Sequence, residues 1–167
     1  MMAIARFLHV SESQYAADQQ LPDALPVGDI PLPRRATAGS AGYDFVCTAD
    51  VTLQPGEAVT IPTGIRCEMQ PGWVLMLFPR SGLGFKHQIR LANTVGVIDS
   101  DYYHAANEGH IMVRLANGMS PCSMDSHPVT IKRGERFCQG VFLPYGLAEE
   151  DEVAGDRTGG FGSTGSN

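Results

Sequence analysis

Residues 55–79 read PGEAVTIPTGIRCEMQPGWVLMLFP, and this stretch decides the fold. Two Pro-Gly pairs, Pro55-Gly56 and Pro71-Gly72, frame runs rich in β-branched, aromatic and aliphatic residues. Pro and Gly supply the backbone angles of tight turns, and short apolar runs between such turns are strands. The longest uninterrupted apolar run, Trp73 to Phe78, has strand length and is far too short for a membrane span. The same rhythm continues on both sides. IARFLHV (4–10) and YDFVCTA (43–49) precede it; IRLAN (89–93), VGVI (95–98), HIMVRLAN (110–117), VTIK (129–132) and RFCQGVFLPY (136–145) follow. Roughly eight to ten strands at this turn spacing specify an all-β sandwich or barrel. Strands do not alternate with helices, which disfavours a parallel α/β sheet. Ser11-Glu-Ser-Gln14 has capping-box spacing and predicts a short N-terminal helix. Pro22, Pro26, Pro31 and Pro33 then predict an extended loop laid over the surface.

The 167 residues, 43% of them hydrophobic, suffice for one domain with a real core. Nineteen Gly and 11 Pro are more breakers than a helical bundle carries. Twelve basic against 18 acidic residues leave a net charge of −6, which argues against a nucleic-acid binder needing a basic field. A small phosphorylated ligand stays open, because a few local arginines and a metal ion can hold one. The start, MMAIARFLHV, is interrupted by Arg6 and His9 and is a poor signal peptide. Cys47, Cys67, Cys122 and Cys138 form no CxxC pair and are expected as reduced core thiols of a cytoplasmic protein. The last thirteen residues, GDRTGGFGSTGSN, have no aliphatic side chain and cannot build a core. The expectation is a single β domain over residues 1–155 and a flexible Gly-rich tail over 156–167.

Four short segments carry chemistry-bearing residues. Arg80-Ser-Gly-Leu-Gly84 directly follows a strand; its glycines let a ligand approach the backbone, and Arg80 and Ser81 reach phosphate oxygens. Alone it reads equally as a hairpin turn. Asp99-Ser-Asp101-Tyr102 places carboxylates at i and i+2, on one side of an extended chain, where one can take a proton from water or both can face a cation. It also reads as a turn. Asp44 opens a strand after the small-residue loop Ser40-Ala-Gly42. In the tail, Arg157 precedes a Gly-rich run that can wrap phosphates, and Phe161 offers a face on which a base stacks.

Their order is more informative than any one of them. SAGYD (40–44), PRSGLG (79–84), NTVGVIDSDY (93–102), RGERFCQ (133–139) and RTGGFGSTG (157–165) follow one another in a way that resembles the trimeric dUTPase family, across nearly the whole chain from residue 33. The resemblance implies jelly-roll subunits in a homotrimer with shared sites, hydrolysing dUTP to dUMP and pyrophosphate, which clears the nucleotide pool and supplies dUMP. It implies Asp99 as the base that activates water. Arg80, Ser81 and Gly82 would hold the phosphate chain, and Gln139 would act on the phosphates or on water around Mg²⁺. Asp44 would orient the metal region, with no direct protein ligand to a cation that keeps most of its water. Residues Asn93 to Met112 would form the hairpin that reads uracil. Asn93, Gly96, Val97, Ile98 and Met112 would lie at the base, with Thr94 and Gly96 narrowing the slot against a thymine methyl. Tyr102 would lie under the deoxyribose and reject a 2′-hydroxyl. Phe161 would stack on uracil, Arg157 would meet the terminal phosphates, and Gly162 and Ser163 would complete the lid. Neither nucleic acid nor a membrane is expected as a partner. Residues 103–111 and the loop GMSPCSMDSHP (118–128) exceed the family's usual turns and receive no role. Two alternatives carry different chemistry: a dCTP deaminase of the same fold, which would need an acid or activated water facing the pyrimidine C4, and a β-sandwich interaction protein without catalysis.

Overall fold

The computed structural model describes residues 3–150; the tail beyond, with Arg157, Phe161, Gly162 and Ser163, lies outside them. The elements run β1 (Ala5–His9), α1 (Glu12–Asp18), β2 (Arg34–Arg35), β3 (Tyr43–Val46), β4 (Val51–Leu53), β5 (Ala58–Pro62), β6 (Ile65–Met69), β7 (Trp73–Pro79), α2 (Ser81–His87), β8 (Ile89–Leu91), β9 (Gly96–Ile98), β10 (Met112–Asn117), β11 (Val129–Ile131) and β12 (Arg136–Pro144). Every strand pair is antiparallel. The largest sheet has the order β2-β3-β12-β7-β9; β5-β10-β8 form a second, and β1-β6 and β11-β4 pair separately. The all-β expectation holds.

Alternation drives these pairings. In β4, β8, β9 and β11 the outer residues are buried and the middle one exposed, the period-2 signature of a half-buried strand. Phe45, Leu53, Ile61, Leu75, Leu115, Ile131 and Phe137 are fully enclosed. Each such side chain contributes about 1.5–3 kcal/mol relative to exposure.

Three local readings are corrected. AVTIPTGIRCEM is two strands, β5 and β6, because Gly64 takes φ +70° between them. A Cβ there would meet Ile30 Cδ1 at 2.5 Å, so glycine answers both the backbone angle and the packing. The segment after Arg80 is a helix rather than a Gly-rich turn. Gly82 and Gly84 each cost about 1 kcal/mol of helix propensity, and the burial of Leu83 offsets them. Finally, only Cys47, Cys67 and Cys138 are buried; Cys122 is exposed in the 118–128 loop. The predicted N-terminal helix is present, with the Ser11 side chain accepting from Gln14 N–H.

Candidate active site

One row of the large sheet gathers the first cluster. Arg34 of β2 lies opposite Asp44 of β3, Asp44 opposite Gln139 of β12, and Gln139 opposite Phe78 of β7. Directly opposed residues share a face, so Asp44 and Gln139 project together. Arg80 follows the end of β7, and its guanidinium donates to Asp44 Oδ2 at 3.2 Å; Arg136 donates to the same oxygen at 3.1 Å. Asp44 is thus a nearly buried carboxylate that fixes two guanidiniums side by side, its side chain only 10% exposed. The two cations would repel without it. Gln139 packs against Gly42, where a Cβ would lie 2.5 Å from its Oε1, which explains the glycine in the SAGYD motif.

Beside this pair opens a cleft of about 300 Å³ lined by Arg80, Gly82, Lys86, His87 and Arg136 among others. Ser81 and Gly82 are exposed on the first turn of α2, and nothing lies within 4 Å of a Cβ built on Gly82. The chemistry here is that of an anion site: fixed cations, an amide side chain and open backbone.

The second cluster lies at the opposite end of β7. β9 is the free edge of the large sheet, with Ile98 opposite Leu75 and Gly96 opposite Leu77. An edge strand offers one row of backbone donors and acceptors to a ligand. Asn93 and Val97 are exposed and Ile98 is buried. Gly96 is required by packing, since a Cβ would stand 2.9 Å from Leu77 Cβ. Asp99 is exposed in extended conformation and leads into a 3-10 turn, Ser100–His104. The expected i, i+2 alignment of Asp99 and Asp101 therefore fails: the turn rotates Asp101 out of the extended register. The uracil hairpin is corrected too. Met112 opens β10, paired with β5 and β8, whereas Gly96–Ile98 pairs with β7, so the two arms belong to different sheets.

Tyr102 is buried, and its hydroxyl donates to His110 O at 2.8 Å while accepting from Asn107 Nδ2 at 2.8 Å. His110 is itself enclosed, with Nδ1 2.6 Å from Asp18 Oδ2 on α1 and Nε2 accepting from Gly64 N–H at 2.8 Å. Burial holds its pKa below the ordinary value, against the opposing pull of Asp18. Glu108 accepts from both the backbone N–H and the hydroxyl of Ser11, and this lowers its pKa. The unassigned loop 103–111 is therefore a tie between α1 and the Asp99 turn. Sequence reasoning missed it because Asp18 and His110 stand 92 residues apart.

A family model described as dUTPase matches residues 28–165. The chain belongs to the dUTPase family. It is 45% identical over 139 residues to the deoxyuridine 5'-triphosphate nucleotidohydrolase of Lactococcus lactis, covering 81% of this chain and 89% of that one. A relative from Hahella chejuensis with the same name is 45% identical over 145 residues, covering 82% and 88%. Among solved structures, the dUTPase from Streptococcus mutans matches with TM-score 0.61 and 43% identity, over 71% of this chain and 88% of that one. A mutant dUTPase from phage phi11 of S. aureus, whose structure concerns the coordination of a structural Mg(II) ion, shares the fold (TM-score 0.65, 20% identity, 93% and 100% covered).

Within this dUTPase-family chain the two clusters do not meet. Asp99 lies one step beyond the Ile98–Leu75 pair and Arg80 one step beyond Pro79. That separation along β7 is roughly 20 Å at about 3.3 Å per residue. No helix among the described residues is long and apolar enough to cross a membrane.

Proposed function

We propose that the chain hydrolyses dUTP to dUMP and pyrophosphate. The observation that carries this reading is the Arg80–Asp44–Arg136 clamp beside Gln139, an anion site built into a chain of the dUTPase family. In the reaction, water oxygen bonds to the α-phosphorus and its proton passes to Asp99. The bond from the α-phosphorus to the bridging oxygen breaks, and pyrophosphate leaves with the electron pair. A carboxylate is a weak base, so rate comes chiefly from positioning and from neutralising phosphate charge. Arg80, Ser81, Gly82 and Gln139 hold the phosphates, with Asp44 keeping Arg80 in place. The edge of β9, at Gly96, Val97 and Ile98, reads the base through its backbone together with Asn93, and Tyr102 underlies the sugar. Met112 contributes from the adjoining sheet.

Among the described residues no three His, Cys, Asp or Glu side chains converge on a point where a metal ion could sit. Asp44, the acid nearest the phosphates, is already taken by two guanidiniums. These residues fit a Mg²⁺ that rides on the triphosphate with its own waters, near Asp44 and Gln139. Such an ion supplies charge neutralisation on the phosphates.

A triphosphate is far shorter than roughly 20 Å of strand, so Asp99 and Arg80 of one chain serve different substrates. A second copy supplies the missing half, and closure of three copies gives three equivalent sites. The tail, with Arg157, Phe161, Gly162 and Ser163, then closes a site shared between chains. The test is pyrophosphate release from dUTP, UTP, dTTP and dCTP with and without chelator. The expected result is chelator-sensitive conversion of dUTP to dUMP, with the others much slower. Ammonia release from dCTP, or no preference among the four, overturns the reading.

A further inference from the structure

Two segments distant in sequence, α1 and the β5–β6 junction, meet at the ring of His110, while Tyr102 and Asn107 gather at its backbone carbonyl; none of them belongs to the phosphate cluster. Asp18 of α1 accepts from Nδ1, Gly64 at the β5–β6 junction donates to Nε2, and the backbone carbonyl of His110 accepts from the Tyr102 hydroxyl. Asn107 donates to that hydroxyl as well. Because Gly64 N–H can only donate, Nε2 must keep its lone pair, which places the proton on Nδ1 and makes the ring neutral. A second proton on Nε2 would set N–H against N–H. The titratable groups around the ring are Asp18 and Tyr15 of α1, Glu108 on the loop and Tyr102 on the 3-10 turn; Arg66 of β6 approaches Glu108 at 3.8 Å.

We propose that His110 is a positioning residue that holds the Tyr102–Asp99 turn in register only while its ring is uncharged, and so ties sugar discrimination to the docking of α1. Protonation breaks the Gly64 bond, shifts the loop 107–110 and releases the Tyr102 hydroxyl. The kinetic half of this inference rests on the dUTP reading; the structural half does not.

The experiment therefore has two arms on wild type, H110Q and H110A, all confirmed to melt cooperatively above assay temperature. Gln can still accept from Gly64 N–H and cannot be protonated in the working range. In the first arm, NMR of the ligand-free protein follows the His110 ring nitrogens and the Tyr102 ring carbons from pH 8 down through the His110 midpoint, which burial sets below the ordinary imidazole value. The expected result is the Nδ1–H tautomer at neutral pH, with Tyr102 signals moving at the His110 midpoint in wild type and not in H110Q. In the second, the ratio of kcat/KM for dUTP over UTP is measured across the same range. Wild type should lose about fivefold or more in the ratio as the His110 ring protonates, H110Q should stay flat, and H110A should be about tenfold lower throughout. Tyr102 signals indifferent to His110 protonation overturn the proposal. So does an H110A variant with wild-type selectivity and only a lower Tm, for then the contact is merely structural. If wild type releases no pyrophosphate from dUTP, the functional reading fails, and the first arm alone decides the clasp.

Discussion

The two ends of β7 are built on opposite principles. At the Arg80 end, fixed charges stand on adjacent strands of one sheet, and a single carboxylate, Asp44, orders two guanidiniums. At the Asp99 end, order comes from a hydrogen-bond network through Tyr102, Asn107 and the uncharged His110 ring, anchored on the Asp18 carboxylate of α1. The first arrangement suits an anion whose charge must be met at once. The second suits discrimination, since a buried, fully bonded phenol resists displacement by a ligand that fits poorly. Charge is thus kept where the ligand is charged, and rigidity where it is to be judged.

The comparison breaks most severely at Asp99. Asp99→Asn keeps size and exposure but removes the base, so the variant should bind dUTP and lose about 10²-fold to 10⁴-fold in kcat. Retention of half the wild-type turnover would remove Asp99 from the reaction. The same variant tests whether Asp99 and the tail act from different copies. Mixed with a chain lacking 156–167, which should itself be inactive, about a quarter of the sites should recover when subunits are combined at random. Mixed trimers verified by mass and still inactive would place both parts on one chain.

Removing the organiser at the other end should act on binding. In Asp44→Asn the two guanidiniums lose their shared counter-charge and repel. KM for dUTP should rise about tenfold with kcat changing less, because a ground-state and transition-state contact is weakened alike. A fall in kcat with KM unchanged would instead make Asp44 part of the chemical step.

How much of this was legible follows the reach of each interaction. Strands around Pro55-Gly56 and Pro71-Gly72, and the Ser11 cap, depend on neighbours in sequence and were readable. The helix at Ser81–His87 was not, because Gly82 and Gly84 point away from helix and only the burial of Leu83 restores it. The resemblance named Asp44 and Arg80 separately, but their ion pair spans 36 residues and became visible only through strand register. The three buried cysteines were read correctly from their apolar surroundings; Cys122 shows that Met119 and Met124 nearby do not make a loop into a core.

Gly96 separates packing from recognition at the Asp99 end. The resemblance makes it a spacer beside the base, whereas Leu77 leaves no room for a Cβ in the folded chain. Gly96→Ala should cost about 1–3 kcal/mol of stability through overpacking, seen as a lower denaturation midpoint before any change in dUTP preference. Unaltered stability with lost preference would return the glycine to recognition alone.

The smallest effect distinguishes the ends without any ligand. Cys138 lies in β12 beside Gln139, at the phosphate end, while Cys67 lies in β6 beside Arg66, under the loop that carries Glu108. Burial raises both thiols to about 12, so neither reacts as a thiolate in the closed protein at neutral pH. Labelling therefore waits on local opening, and its rate reports the free energy of opening at each end. Exposed Cys122 reacts first and serves as the internal standard. Asp44→Asn loosens only the phosphate end and should speed Cys138 labelling a few-fold while leaving Cys67 alone. Asp18→Asn withdraws the charge from the His110 ring and should do the reverse. Both thiols speeding together in either variant would mean that the sheet opens as one unit, and the division between its ends would then be chemical without being mechanical.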